Sequence, residues 1–256
     1  MSTYWEQAVS GAYHPAGTFP QLLYLRSFHV MRIVIGVLGV ALPVVLLLGD
    51  ALFLQSPIWP RGSISAYYHS AMRDEFVGIL IAICFFLLCY HVSERRLENW
   101  LSTLAGVAAA LVAVFPTALP PTGGTLTDLQ RQLGEQRVAF VHAASAIALF
   151  STLALMSYLF GRREGSRSKS PAQRQSPEFW RAFHHVCAAF MVLGMAFALM
   201  GQLAGVFEEH STWIGEVVAL LAFGASWFAK GMNLEALFGA STVGDGDTVF
   251  RVRETA

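Results

Sequence analysis

An all-α, polytopic bundle of six transmembrane helices is the fold class this sequence predicts, and three observations predict it. Hydrophobic residues make up 55% of the 256-residue chain and charged residues only 13%, against roughly 25% charged in an ordinary soluble domain. Uncharged runs long enough to reach across a bilayer recur along the chain. The remaining charges gather between those runs, whereas soluble amphipathic helices would carry them along one face. One membrane domain over residues 1–231 and a cytoplasmic tail over 232–256 follow from this pattern.

The elements follow in order. Residues 1–28 are mixed and aromatic, with Tyr4, Trp5, Tyr13, Phe19 and Tyr24, as suits an extramembrane segment ending at an interface. They lack a basic start leading into a short apolar core, so the first apolar helix is expected to be retained. That helix runs from about His29 to Phe53, with a kink expected at Pro43, which supplies no amide hydrogen. Residues 54–73 read as a loop. The second helix has an uncharged run of only 15 residues, Phe76 to Tyr90. This is about 22 Å at helical rise, short of a span. It must therefore extend back through Asp74 and Glu75 or forward through His91, and the shortage brings the acidic pair to the membrane edge.

A third helix is expected over Trp100 to Leu119, closed by Pro116 or Pro120-Pro121. A polar loop follows, with a short surface helix between Leu126 and Arg137. The fourth helix covers about Val138 to Phe160, the fifth His185 to Phe207 and the sixth Trp213 to Lys230. Arg162, Arg163, Arg167, Lys169, Arg174 and Arg181 crowd the connection between the fourth and fifth. The positive-inside rule puts this connection in the cytoplasm. With six helices both termini fall on that side of a multi-pass cell inner membrane protein, and Arg26, Arg32 and Lys230 agree.

Seventeen basic residues balance seventeen acidic ones, so there is no broad positive surface for nucleic acid. Cys84, Cys89 and Cys187 lie in apolar runs and form neither a disulfide framework nor a metal motif. The informative polar residues are grouped by depth. Ser65, His69, Arg73, Asp74, His142, Glu208, Glu209, His210 and Glu216 all fall near the outer helix ends, and ionisable groups so close to hydrocarbon turn toward the bundle or an aqueous cavity. An outer-facing polar pocket is the expectation.

Two readings of that pocket stand side by side. In one, His69, Asp74, His142 and His210 are zinc ligands. Glu216 then orients or deprotonates a metal-bound water, and Ser65 bonds that water or a substrate, for hydrolysis of a lipid amide or ester. In the other, Arg73, Asp74 and Glu216 form an ion-pair network pinning helix ends. His142 and Ser145, three residues apart on one helix, then satisfy one another or a backbone carbonyl, and Glu208 to His210 form a solvated loop.

Ser63-Ile-Ser-Ala-Tyr-Tyr68, continuing through Arg73-Asp-Glu-Phe-Val-Gly78, resembles the signature of a family of uncharacterised prokaryotic multi-helix membrane proteins. Phe140-Val-His142, Trp213-Ile-Gly-Glu216 and Ser226-Trp-Phe-Ala-Lys-Gly231 are similar to its later motifs. The resemblance singles out Tyr67, Arg73, Asp74, His142, Glu216 and Lys230 without implying an activity. Ser65-x-x-x-His69 also resembles one element of the ceramidase and adiponectin-receptor-like membrane hydrolases, which hold zinc among Ser, His and Asp. This chain departs from them in having six expected helices for seven, and no H-x-x-x-H in the last. The resulting expectation is a membrane protein that binds a lipid or small ligand in an outer pocket. A zinc-dependent hydrolase is the second class, and a transporter, for which an inverted repeat is lacking, is the third. Membrane lipids are the expected partners, with association between copies of the chain left open.

Overall fold

The computed structural model describes residues 19–54, 60–91, 96–120, 123–164, 177–204 and 210–232. Among these the chain is all-helical: α1 (Phe19–Leu54), a 3-10 segment (Ser65–His69), α2 (Arg73–Cys89), α3 (Arg96–Val114), α4 (Asp128–Leu133), α5 (Glu135–Glu164), α6 (Pro177–Ala204) and α7 (Ser211–Gly231). Five helices, α1, α3, α5, α6 and α7, are long and apolar enough to cross a membrane. With 17 residues, α2 reaches about 26 Å, somewhat less than the roughly 30 Å of a hydrocarbon core. Large apolar side chains such as Leu52, Phe85, Phe140 and Leu203 point outward. In water they would form patches of a size that soluble monomers avoid.

Packing runs in a closed cycle: α1 against α2, α2 against α3, α3 against α5, α5 against α6, α6 against α7, and α7 back against α1, with α5 also touching α7. Glycine permits the closest approaches. A Cβ on Gly36 of α1 would lie 2.5 Å from the Phe228 nitrogen and 2.7 Å from the Gly224 oxygen of α7. A Cβ on Gly194 of α6 would lie 2.5 Å from the Gly215 oxygen of α7. These contacts bring backbones together as small residues do in membrane bundles, where packing contributes what water exclusion cannot.

Helix boundaries differ from the sequence expectation for local reasons. Helix α1 begins at Phe19, inside the segment expected to be extramembrane, and Pro43 lies within it without ending it. Of the two extensions open to the second helix, α2 takes the backward one and starts at Arg73. The expected loop before it contains the 3-10 segment. Of the two stops expected for the third helix, α3 takes the earlier and ends at Val114, because Pro116 lacks an amide hydrogen and disfavours helical geometry at Phe115. Gly134, at φ +91°, separates α4 from α5 and donates its N–H to the Gln130 carbonyl at 2.9 Å. Helix α6 starts at Pro177, where a missing N–H costs nothing. Phe179-Trp180 therefore belongs to its first turn. The tail expected after residue 232, Glu94-Arg95 and most of the basic connection lie outside the described residues.

One end of the cycle is closed by side chains. Trp227 is fully buried, with the Tyr90, Phe160 and Phe223 rings 5.2, 5.4 and 6.0 Å from it. Arg32 donates two hydrogen bonds to the Tyr90 hydroxyl, at 2.9 and 2.7 Å. Lys230 pairs with Glu164, Arg163 pairs with Glu98, and His184 Nδ1 lies 2.9 Å from Ser226 Oγ. The site described next is at the other end.

Candidate functional site

The chain between α1 and α2 is anchored before it forms a site. Asp50, nearly buried at the end of α1, accepts from Arg61 Nε and Nη2, both at 3.0 Å. This two-pronged, charge-assisted contact restrains both distance and angle. The Arg61 guanidinium also lies 5.6 Å from the centre of the Tyr67 ring. Ser63 Oγ accepts the Ala66 N–H at 2.9 Å and so starts the 3-10 segment. Ser70 Oγ donates to the Tyr67 carbonyl at 2.7 Å and accepts the Met72 N–H at 3.0 Å, joining that segment to α2. Tyr67 is fully buried, and that burial pushes its phenol above the ordinary tyrosine value.

Two separate spaces result where the sequence predicts one pocket. The inner one is a cavity of about 40 Å³ lined by Ser65, His142 and Glu216 among apolar neighbours such as Leu42, Phe76 and Leu220. Glu216 reaches it from α7. Its Oε2 accepts the Ile64 N–H at 2.5 Å, and its Oε1 lies 3.5 Å from Ser65 Oγ, which is itself 3.1 Å from Ser63 Oγ. His142 reaches it from α5, with Nδ1 2.6 Å from the Phe115 carbonyl. A carbonyl only accepts, so Nδ1 carries a proton. The volume is enough for one or a few waters and too small for an acyl chain.

The outer space is a groove of about 680 Å³, within the usual range for ligand sites. The 3-10 segment and the start of α2 supply Tyr68, His69 and Arg73, while the 124–131 loop with α4 supplies Thr125, Asp128 and Arg131. His69 Nε2 lies 2.8 Å from the Thr117 carbonyl, and Gln130 Nε2 donates to the same oxygen at 3.0 Å. The two histidines thus hold carbonyls two residues apart, His142 from the cavity and His69 from the groove. The Phe115–Thr117 segment is held by one residue of each space.

The α4 side of the groove is built by a capping box, in which the Thr127 and Gln130 side chains each take up the other's backbone N–H. Glu135 Oε1 accepts the Leu119 N–H at 2.8 Å and ties down the approach to α4. Arg131 pairs with Asp128 at 3.4 Å, and both are largely exposed. Arg73 donates Nη2 to the Tyr68 hydroxyl at 3.1 Å, and its guanidinium lies 4.7 Å from the centre of that ring.

Several sequence expectations are corrected by these contacts. Arg73, Asp74 and Glu216 form no ion-pair network among the described residues: Arg73 bonds a phenol, Glu216 takes a backbone N–H, and Asp74 is exposed on the first turn of α2. Of the two partners expected for His142 it takes the backbone carbonyl, that of Phe115, while Ser145 is buried but does not line the cavity. His69, Asp74, His142 and His210 do not assemble as zinc ligands. No group of three His, Cys, Asp or Glu side chains able to hold a metal ion occurs among the described residues. His69 and His142 line different spaces, Asp74 is exposed on α2 and His210 is the N-cap residue of α7. Glu208 and Glu209 lie outside the described residues.

Sequence reasoning did bring Ser65, His142 and Glu216 toward one place. It missed Asp50, Arg61, Tyr68, Gln130 and Arg131. Only Gln130 had a local signal, the Thr-x-x-Gln spacing of its capping box. Comparison with known proteins finds no matching family model, no matching curated protein and no matching solved structure.

Proposed function

We propose that the chain is a six-span integral membrane protein of the cell inner membrane whose groove binds a lipid or a small amphiphilic ligand. The observation that carries this reading is the groove itself: ligand-sized, walled by polar side chains held in place by backbone contacts, and beginning at Val114, where a membrane-competent helix ends. In this reading α2 is the sixth span, accommodated at about 26 Å by local thinning of the bilayer or by drawing Arg73, Asp74 and Glu75 to its surface. The groove then opens on the outer face and both termini are cytoplasmic. The Lys230 end, with Arg32, Arg163 and Lys230, faces inward as the positive-inside rule requires.

Photo-cross-linking in reconstituted membranes tests the reading. With photoactivatable lipid in the bilayer, labelled peptides are expected to concentrate at residues 68–73 and 124–131 above the general labelling of outward-facing helix surfaces. Labelling spread evenly over positions such as Phe85, Phe140 and Leu203, with no excess at the groove, would sink it.

A further inference from the structure

The groove also carries information about the chemistry of its ligand. Arg73 is the telling residue. One of its five N–H donors is used by the Tyr68 hydroxyl, and among the described residues no carboxylate stands within ion-pair distance of it. Tyr68 is itself buried, with the Phe76 ring 6.3 Å away, so the guanidinium is steadied from one side by a ring that has little freedom. A planar guanidinium held in this way presents the rest of its fork to an oxyanion at low ordering cost.

The surroundings favour negative charge. Arg73 and Arg131 line the groove with a single carboxylate, Asp128, and that carboxylate pairs with Arg131. Asp74 and Glu75, although next in sequence to Arg73, are not among the lining residues. Thr125 lines the groove and adds a hydroxyl. Val114, Leu126 and Leu129 line it as well, giving an apolar side next to the cationic one.

We infer that the groove takes a phosphate-bearing anion carried on a lipid: an anionic phospholipid whose phosphate bonds the Arg73 guanidinium while its glycerol and first acyl carbons lie along Val114, Leu126 and Leu129. The volume supports a lipid over inorganic phosphate, since 680 Å³ is many times what one phosphate fills. The place supports it too, because Val114 ends a membrane-competent helix and a headgroup would meet the groove at that level. This inference rests on the groove being the ligand site.

Native mass spectrometry of the full-length protein, released from detergent with added phosphatidic acid, diacylglycerol or glycerol phosphate, tests it. Phosphatidic acid is expected to bind about tenfold more tightly than diacylglycerol, and Arg73→Gln to remove that advantage, as loss of a charge-assisted contact should. Arg73→Lys keeps the charge without the fork and should retain part of it. Arg137→Ala, an exposed cation that does not line the groove, should leave binding unchanged.

Equal losses in Arg73→Gln and Arg137→Ala would overturn the inference in favour of diffuse attraction between charges. Glycerol phosphate binding as tightly as phosphatidic acid would overturn the lipid source and leave a soluble phosphate ester. Diacylglycerol binding as tightly as phosphatidic acid, with or without Arg73, would overturn the anion while cross-linking at the groove would leave the ligand site standing. Absence of groove labelling by any lipid would overturn both. Arg73→Lys, judged folded by its unchanged elution and thermal midpoint, keeps the test valid if Arg73→Gln does not fold.

Discussion

Glu216 and Asp74 show how little a residue's type and depth say about its partner. Both are acids near the start of a helix at the same end of the molecule, yet Glu216 accepts a backbone N–H 152 positions away while Asp74 stays exposed. Their substitutions should therefore separate. Glu216→Gln is expected to lower stability by about 1–3 kcal/mol, because one of the two buried oxygens facing the Ile64 N–H and the Ser65 hydroxyl becomes an amide donor and leaves one of those groups short of an acceptor. Asp74→Asn should lose only its interaction with the helix dipole, about 0.3–1 kcal/mol. Thermal unfolding of the two variants in one detergent checks the ranking, and a larger loss for Asp74→Asn would contradict these contacts. The position of Glu216 was legible in the sequence as an acid in an apolar helix. Its partner was not, since any residue carries an N–H and no side-chain pattern marks the one that is used.

At the scale of elements, the short helix α4 acts as a clip on the Phe115–Thr117 segment. Gln130 is buried and serves two purposes, closing the capping box with Thr127 and donating to the Thr117 carbonyl. Gln130→Ala removes both contacts, and each is worth about 1 kcal/mol. Hydrogen exchange over residues 128–133 should accelerate at least about tenfold, while the interior of α2 keeps its protection. Equal acceleration in α2 would show that the clip is part of the global fold. The existence of α4 could be read from its caps, and the backward extension of α2 was one of two answers to its 15-residue apolar run. That α4 presses on Thr117 could not be read, because the contact crosses a polar loop with no periodicity of its own.

The whole molecule is a cycle of helices with unlike ends. Around Trp227, ion pairs and edge-to-face rings fill the space between helices, whereas the Arg73 end holds a small cavity and a groove. Opposite ends should lie on opposite sides of the membrane. In a Cys89→Ser background, which removes the exposed native thiol, single cysteines at residues 123–125 should react with an impermeant reagent from outside. Cysteines at residues 161–175 should react only after the membrane is opened. Labelling of both from one side would overturn the six-span topology.

By itself the sequence determined that the chain is helical and apolar enough to cross a membrane repeatedly, and it marked Ser65, His142 and Glu216 as polar groups at one depth. Composition and run length suffice for this, since hydrocarbon excludes unpaired backbone and charge wherever they occur. Only the tertiary structure decided which of those groups share a space. It put His69 and Arg73 in the groove and Ser65, His142 and Glu216 in the cavity, and gave each histidine a backbone carbonyl of the Phe115–Thr117 segment. Those carbonyls are backbone groups that no side-chain pattern marks, so the two contacts were set by where α3 ends and how the following chain packs.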